Sequence, residues 1–152
     1  QMVDPLRPIP WESVQIHGIH PEMLLGQPTI DKVLPGFQQF VENTVLVAHN
    51  AAFDMRFLQM KEEQTAVKII NPVLDTLLLS AVVHPSHSNH DLEAIAQRLG
   101  VRILGRHTAV GDALVTAELF LKLLPLLAHN GIYTLKEALA ASQKTYYARI
   151  KF

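Results

Sequence analysis

Cysteine is absent from the 152-residue chain, which excludes disulfide bonds and thiolate zinc sites. The sequence also lacks any apolar run near the roughly 20 residues that a membrane-spanning helix needs, and no signal-peptide pattern opens it. The formal net charge is only -1, so no strong basic field marks the chain as a nucleic-acid binder. A polyanionic ligand would therefore have to be held locally or through metal ions.

The length and the 49% hydrophobic content are those of one compact domain with a sizeable core. We therefore expect residues 1–152 to form a single domain. The chain opens "QMVDPLRPIPW", with three prolines and no initiator Met. This opening indicates a segment that is entered in mid-domain, so we expect the domain to be incomplete at its N-terminus.

Helical periodicity dominates the sequence. Five of the nine prolines fall in residues 5–30, which predicts mostly loop there, with a short helix over 21–25. Apolar stripes predict six further helices, over 29–43, 51–64, 75–84, 88–99, 108–130 and 134–147. Only two strands are indicated, 44–49 and a short one near 73–74, and the first reads as buried on both faces. Two strands do not make an independently stable sheet, so partner strands are expected outside this sequence.

Cap signals mark the ends of two of the predicted helices. Ser88 and Asp91 have capping-box spacing, and Gly100 follows the same helix as a C-cap. Thr134 with Glu137 three residues later predicts the start of the last helix. These signals fix both ends of one helix and the beginning of another.

A carboxylate follows the first strand in "VLVAHNAAFD", residues 45–54. If a helix starts near Ala51, Asp54 lies in its first turns, close to the strand end where open α/β sheets place their ligands. A carboxylate there is stabilised by the helix dipole and is able to coordinate a hard cation. The alternative is that Asp54 only caps or solvates the helix.

A second acid, Asp112, lies near the start of a predicted apolar helix in "GRHTAVGDALVTAELF". Asp112 faces Ala, Leu and Val, which indicates a buried paired acid or a site residue. His107, five residues earlier, has the side chain of a general base. The alternative is a loop histidine beside an acid that only starts a helix.

Other histidines give weaker signals. His84, His87 and His90 in "HPSHSNH" suggest a zinc or nickel site, but Pro85 and the Ser/Asn run favour solvated loop side chains. "QIHGIHPEM" predicts a tight turn at His17.

Taken together, five segments resemble the DnaQ-like 3′–5′ exonucleases, the DEDD-type enzymes that use histidine. In order, they are "IPWESVQIHGIHPEML", "VLVAHNAAFDMRFL", "VLDTLLLS", "HDLEAIAQRLGV" and "RHTAVGDALVTAELFLKLL". The resemblance extends from about residue 8 to 127. Its motifs H-N-x-x-F-D and H-x-A-x-x-D are specific in combination, although either alone is weak.

The resemblance implies an α/β, ribonuclease H-like fold and cleavage at nucleic-acid 3′ ends with two Mg²⁺ or Mn²⁺ ions. Asp54 matches the family's second acid and Asp112 its fourth, both as metal ligands, while His107 matches the general base. The positions matched to the nucleotide pocket are Asn50, Phe53, His17 and Ile19.

The family's opening D-x-E motif has no counterpart before Asp4, and neither have the roughly three strands that normally precede "PIP". The resemblance therefore implies a helix-rich remainder of the domain with two of four carboxylates, and we expect little or no nuclease activity from it alone. The uncovered strand edge predicts a homodimer or another chain covering it.

Three functional hypotheses follow. The first is a metal-dependent exonuclease domain acting on single-stranded DNA or RNA 3′ ends, releasing nucleoside monophosphates, without a membrane partner and in the cytoplasm. The second is a catalytically dead nucleotide- or protein-binding module on the same fold. The third is a helical metal-binding module built on His84, His87 and His90.

Overall fold

The computed structural model describes residues 1–105 and 107–149, except for the side chain of Arg149. In chain order the elements are α1 (Trp11–His17), a 3-10 helix (Pro21–Leu24), α2 (Ile30–Val41), β1 (Leu46–Ala48), α3 (Ala51–Gln59), α4 (Glu62–Thr65), β2 (Val73–Asp75), α5 (Thr76–Val83), α6 (Leu92–Leu99), α7 (Ala109–His129) and α8 (Leu135–Arg149).

The contacts between Cα atoms divide the chain into two compact units. The first unit comprises Gln1–Thr44 and Met55–Asn71, and the second comprises Val45–Asp54 and Pro72–Phe152. The division falls inside α3. The single domain expected over 1–152 stays a prediction.

In the first unit, the loop predicted for most of residues 5–30 and the short helix near 21–25 are present, but α1 is an additional helix that was not predicted. The carbonyl of Pro10 accepts hydrogen bonds from the N–H groups of Ser13 and Val14, which starts a helix directly after the proline. Gly18 ends it in the left-handed conformation, with φ of 68°. Proline at a helix start leaves no intrahelical bond broken, so the proline-rich segment still forms a helix.

The prediction of one uninterrupted helix over 51–64 is also wrong. α3 ends at Gln59, and the short α4 begins separately at Glu62. Between them the Lys61 N–H donates to the carbonyl of Leu58, three residues back rather than four. This tighter turn stops the α-helical ladder although no proline or glycine is present.

In the second unit, β1 and β2 form a two-stranded parallel sheet within the described part of the chain. Ala48 lies opposite Asp75, so both strands end at the same edge. β1 is only partly buried, which corrects the expectation of burial on both faces. The structure thus places the turns into α3 and α5 side by side.

Helix α7 passes through the two apolar clusters that form the core of the second unit. Its first half packs with α6 and its second half with β2, α5 and α8. Leu119 and Leu123 on this helix are fully buried. A continuous helix of 21 residues therefore joins the two clusters.

Helix caps explain where the neighbouring elements begin. Asp91, not Ser88, is the N-cap of α6, since its carboxylate accepts the Ala94 N–H at 2.7 Å. The predicted Ser88 box is therefore wrong, because the helix starts three residues later. Gly100 ends α6 in the left-handed conformation, as predicted. The Thr134–Glu137 box at the start of α8 is confirmed by reciprocal hydrogen bonds.

Among the described residues, no helix combines the length and the apolar character that crossing a bilayer requires.

Candidate active site

A cleft of about 810 Å³ lies within the second unit, at the carboxyl end of β1. Its walls come from the turn into α3, the loop before α6 and the first turns of α7. The polar and aromatic residues that line the cleft include Asn50, Phe53, Asp54, Asp91, Glu93 and Asp112. Parallel strand ends followed by helix N-termini are where α/β domains bind ligands, so the position of the cleft fits a binding site.

Asp54 lies in the first turn of α3. Loss of hydration raises the pKa of its carboxyl group, and the negative charge of Asp75 adds to the rise. A backbone hydrogen bond and the nearby His49 act in the opposite direction. Ionising Asp54 in this environment therefore costs free energy, and a bound cation would reduce that cost.

Asp112 lies in the first turn of α7, behind the N-cap Thr108, whose hydroxyl accepts the Gly111 N–H at 3.1 Å. The backbone N–H of His107 donates to Asp112 Oδ1 at 3.4 Å. His107 is exposed and has a positive φ of 64°, and it is not among the residues that line the cleft. The structure thus joins His107 to Asp112 through the backbone, at the edge of the site.

Asn50 and Phe53 both line the cleft. Asn50 makes the sharp turn from β1 into α3 with φ of 58°, a conformation that asparagine tolerates better than most residues. The ring of Phe53 is 63% exposed. An exposed aromatic face beside carboxylates offers a surface on which a base could stack.

Asp75 was not predicted to be a site residue, although it organises the turn from β1 into α3. Its two carboxylate oxygens accept the N–H groups of Asn50 and Ala51, each at 3.0 Å. The available signal was an acid directly after the second strand, in "VLD". Its partners depend on the β1–β2 register, which the local sequence does not reveal.

His17 and Ile19 belong to the first unit. The Ile19 N–H donates to His17 Nδ1 at 3.0 Å, across Gly18, which has φ of 68°. The tight turn predicted for this segment is confirmed. The role of these two residues beside a nucleotide stays a prediction.

The histidine group at 84–90 does not form a metal site. His90 is buried, with Nδ1 2.9 Å from Ser80 Oγ and Nε2 2.9 Å from the His87 carbonyl oxygen. Burial lowers the pKa of His84, with the Arg98 charge adding to the effect. Both ring nitrogens of His90 are engaged inside the fold, so the hypothesis of a metal module on these histidines is wrong.

The donor set of the cleft limits which ion it would hold. No group of three or more His, Asp or Glu side chains able to hold a metal is found in 1–105 and 107–149. Mg²⁺ is often bound by one or two protein carboxylates, with water and substrate phosphate completing its shell. Asp54 and Asp112 line one cleft, so the described residues offer the two carboxylates that this pattern requires.

Comparisons with known proteins bear on the family and the fold. The RNase_T family model, described as Exonuclease, matches residues 1–120. The "DNA polymerase III subunit epsilon-like protein" of Rhodobacter capsulatus is 47% identical over 145 residues, covering 94% of this chain and 21% of the relative. "DNA polymerase III PolC-type" of Clostridium perfringens is 43% identical over 117 residues, covering 77% of this chain and 8% of the relative. The chain thus spans about a fifth or less of the length of these relatives.

A solved structure, "Exonuclease X in complex with 5' overhanging duplex DNA", superposes with a TM-score of 0.73 at 24% sequence identity. The match covers 93% of this chain and 79% of the other. It confirms the predicted α/β, ribonuclease H-like exonuclease fold in its helix-rich form. The chain belongs to the exonuclease family, in its DnaQ-like branch.

Proposed function

We propose that the cleft is the active site of a 3′–5′ exonuclease domain that hydrolyses phosphodiester bonds at the 3′ ends of single-stranded DNA or RNA. The observation that carries the proposal is that Asp54 and Asp112, from two distant motifs, line one cleft. The relatives named as DNA polymerase III proteins and the neighbour solved with DNA support nucleic acid as the substrate. The same relatives favour a cytoplasmic location.

Each site residue has a separate proposed role. Asp54 and Asp112 would hold Mg²⁺ or Mn²⁺, which would supply positive charge to the attacking and leaving oxygens, and a second ion beside the first is part of this proposal. His107 accepts a proton from the attacking water, whose oxygen bonds to phosphorus. The bond from phosphorus to the 3′ oxygen of the penultimate nucleotide breaks, and a nucleoside 5′-monophosphate leaves.

The remaining predicted residues would position the terminal nucleotide. Phe53, which is largely exposed, is proposed to stack on the terminal base, and Asn50 lines the same cleft. His17 and Ile19, held together by their hydrogen bond, are proposed to pack near this nucleotide. They would fix its orientation without taking part in proton transfer.

Binding of Mn²⁺ with a nucleoside 5′-monophosphate tests the site directly. We expect paramagnetic broadening of amide resonances around Asp54 and Asp112, weakened about tenfold or more in Asp54→Asn and in Asp112→Asn because each removes an anionic ligand. Asp31→Asn, which changes an acid of the first unit that does not line the cleft, serves as the control. Broadening that is equal in all four proteins would contradict the assignment.

The same measurement has an expected pH dependence. Because loss of hydration raises the pKa of Asp54, protons should compete with Mn²⁺ at a higher pH than for an ordinary aspartate. A raised folded-state pKa also means that ionised Asp54 opposes folding once the pH exceeds its unfolded value. Asp54→Asn should therefore be no less stable than the parent at neutral pH, so lost binding would not reflect unfolding.

We predict that these 152 residues alone digest a 5′-labelled single-stranded oligonucleotide at close to the background rate in Mn²⁺. The family pattern uses four carboxylates, and the cleft matches two of them, so the repulsion between two cations would be poorly compensated. Gel analysis of the digest gives the measurement. Robust digestion that disappears in His107→Ala and Asp112→Asn would refute this prediction and leave the active-site assignment intact.

A catalytically dead binding module is the second candidate. The small number of matched carboxylates favours it. Nucleotide binding that is independent of Mn²⁺ and unaffected by Asp54→Asn and Asp112→Asn would decide for this alternative.

We further propose self-association of the chain. Along α7 an apolar stripe is left exposed, consisting of Val110, Leu114, Leu121 and Leu124 at 71%, 67%, 65% and 43% exposure. In the described residues β1 pairs with β2 alone, so its other edge is open to pairing. Sedimentation velocity should show a dimer that shifts towards monomer in Leu121→Glu. A monomer at all concentrations would contradict the proposal.

A further inference from the structure

The turn that carries Asp54 is held by one residue of the adjacent strand. Asp75 Oδ1 accepts the Asn50 N–H at 3.0 Å, and Oδ2 accepts the Ala51 N–H at 3.0 Å. Oδ1 also accepts the Leu77 N–H at 2.9 Å. A single carboxylate therefore caps the first turns of both α3 and α5.

Thr76, the next residue, contacts the two residues before Asn50, which are Ala48 and His49. It is fully buried, and its hydroxyl donates to the Ala48 carbonyl at 3.3 Å. The same oxygen lies 3.0 Å from His49 Nδ1. Which of the two atoms donates in that contact depends on the tautomer of His49. Four consecutive residues, 48–51, are thus fixed by Asp75 and Thr76.

The segment 48–51 sets the start of α3 and therefore the position of Asp54. Asn50 adopts a left-handed φ of 58°, which is unfavourable for a residue with a side chain. The bonds that Asp75 accepts from the N–H groups of Asn50 and Ala51 offset that cost at this residue and the next. We propose that Asp75 is a positioning residue, which holds the turn 48–51 so that the Asp54 carboxylate faces the cleft. The inference rests on the proposed function only in treating Asp54 as a metal ligand.

Asp75→Asn is the discriminating variant. Asparagine keeps one acceptor but places an N–H₂ group opposite the N–H of Asn50 or Ala51, so one contact becomes repulsive. We expect amide hydrogen exchange at Asn50 and Ala51 to accelerate about tenfold or more. Mn²⁺ broadening near Asp54, measured with a nucleoside 5′-monophosphate, should weaken about tenfold, as is typical when a residue orienting a ligand is changed.

Thr134→Ala is the matched control. Thr134 caps α8 by accepting the Glu137 N–H at 3.2 Å, and it does not line the cleft. Its loss should destabilise the fold about as much as the loss of any N-cap. Unchanged Mn²⁺ broadening in Thr134→Ala, together with weakened broadening in Asp75→Asn, separates positioning from general stability.

Asp75→Ser keeps the test decisive if Asp75→Asn does not fold. Serine retains the N-cap of α5, but its single short side-chain oxygen cannot accept from both Asn50 and Ala51, so exchange at these two amides should still accelerate. Parent-like exchange at Asn50 and Ala51 in the folded variants would overturn the proposal, and so would faster exchange without weaker Mn²⁺ broadening. If the parent chain shows no Mn²⁺ broadening, the proposed function fails. Residual dipolar couplings of the first turn of α3 then decide whether Asp75 sets its orientation.

Discussion

Gly111→Ala is expected to destabilise the chain and to disrupt the edge of the cleft, although alanine is the better helix former. A Cβ atom at position 111 would lie 2.1 Å from the Gly105 carbonyl oxygen and 2.7 Å from the Leu104 carbonyl oxygen. These neighbours are backbone atoms, so no side-chain rotation relieves the clash. The backbone at Leu104 and Gly105 must therefore move away from α7.

The expected cost follows from two opposed effects. Overpacking costs about 3 kcal/mol at the upper end of its usual range, and alanine recovers about 1 kcal/mol of helix propensity. We therefore expect the free energy of unfolding to fall by about 2 kcal/mol. Urea denaturation gives the measurement. Mn²⁺ broadening at Asp112 should weaken as well, because Gly105 accepts hydrogen bonds from both the N–H and the hydroxyl of Thr108, the cap of α7.

Gly36→Ala provides the matched control. Gly36 lies inside α2, has no positive φ, and an added Cβ would meet no atom within 4 Å. The same substitution should stabilise the chain there by up to about 1 kcal/mol. Equal effects of the two substitutions would show that the close approach of Gly111 to the loop does not exist in solution.

The long helices were predictable because their apolar periodicity is a local property. The stripe in 108–130 predicted α7 to within a residue or so, and Gly100 and Thr134 marked helix ends that the structure confirms. Two local signals misled the prediction. The prolines led to a prediction of loop where α1 forms, although a proline before a helix does not prevent the helix. Ser88 was predicted to cap α6, but the cap is Asp91, three residues later.

The candidate site was predictable only as far as its motifs are local. Asp54, Asn50 and Phe53 sit at one strand end, and Asp112 reaches the same cleft from a distant segment. Asp75 was not predictable as an organiser of this site, because its role depends on the pairing of Ala48 with Asp75 across the sheet. The partial burial of β1 was missed for the same reason, since burial depends on neighbours that are distant in sequence.

Leu119→Ala is expected to destabilise the core strongly. Leu119 is fully buried and packs with Ile95 and Val115 in the cluster between α6 and α7. Removing its branched end leaves a cavity that a rigid helix pair fills only partly, so we expect a loss of about 2–5 kcal/mol. Total stabilities of such domains are about 5–15 kcal/mol, so this change alone could bring the chain near its unfolding threshold.

Leu121→Ala, two residues further along the same helix, separates burial from helix propensity. Leu121 is 65% exposed, so the same exchange of side chains should change stability by less than about 0.5 kcal/mol. Urea midpoints and slopes should be compared at protein concentrations low enough to keep the chain monomeric, because the proposed dimer would bury Leu121. If the two variants lose equal stability at that dilution, the packing of α7 differs from that described, and the placement of Asp112 on the cleft would have to be abandoned with it.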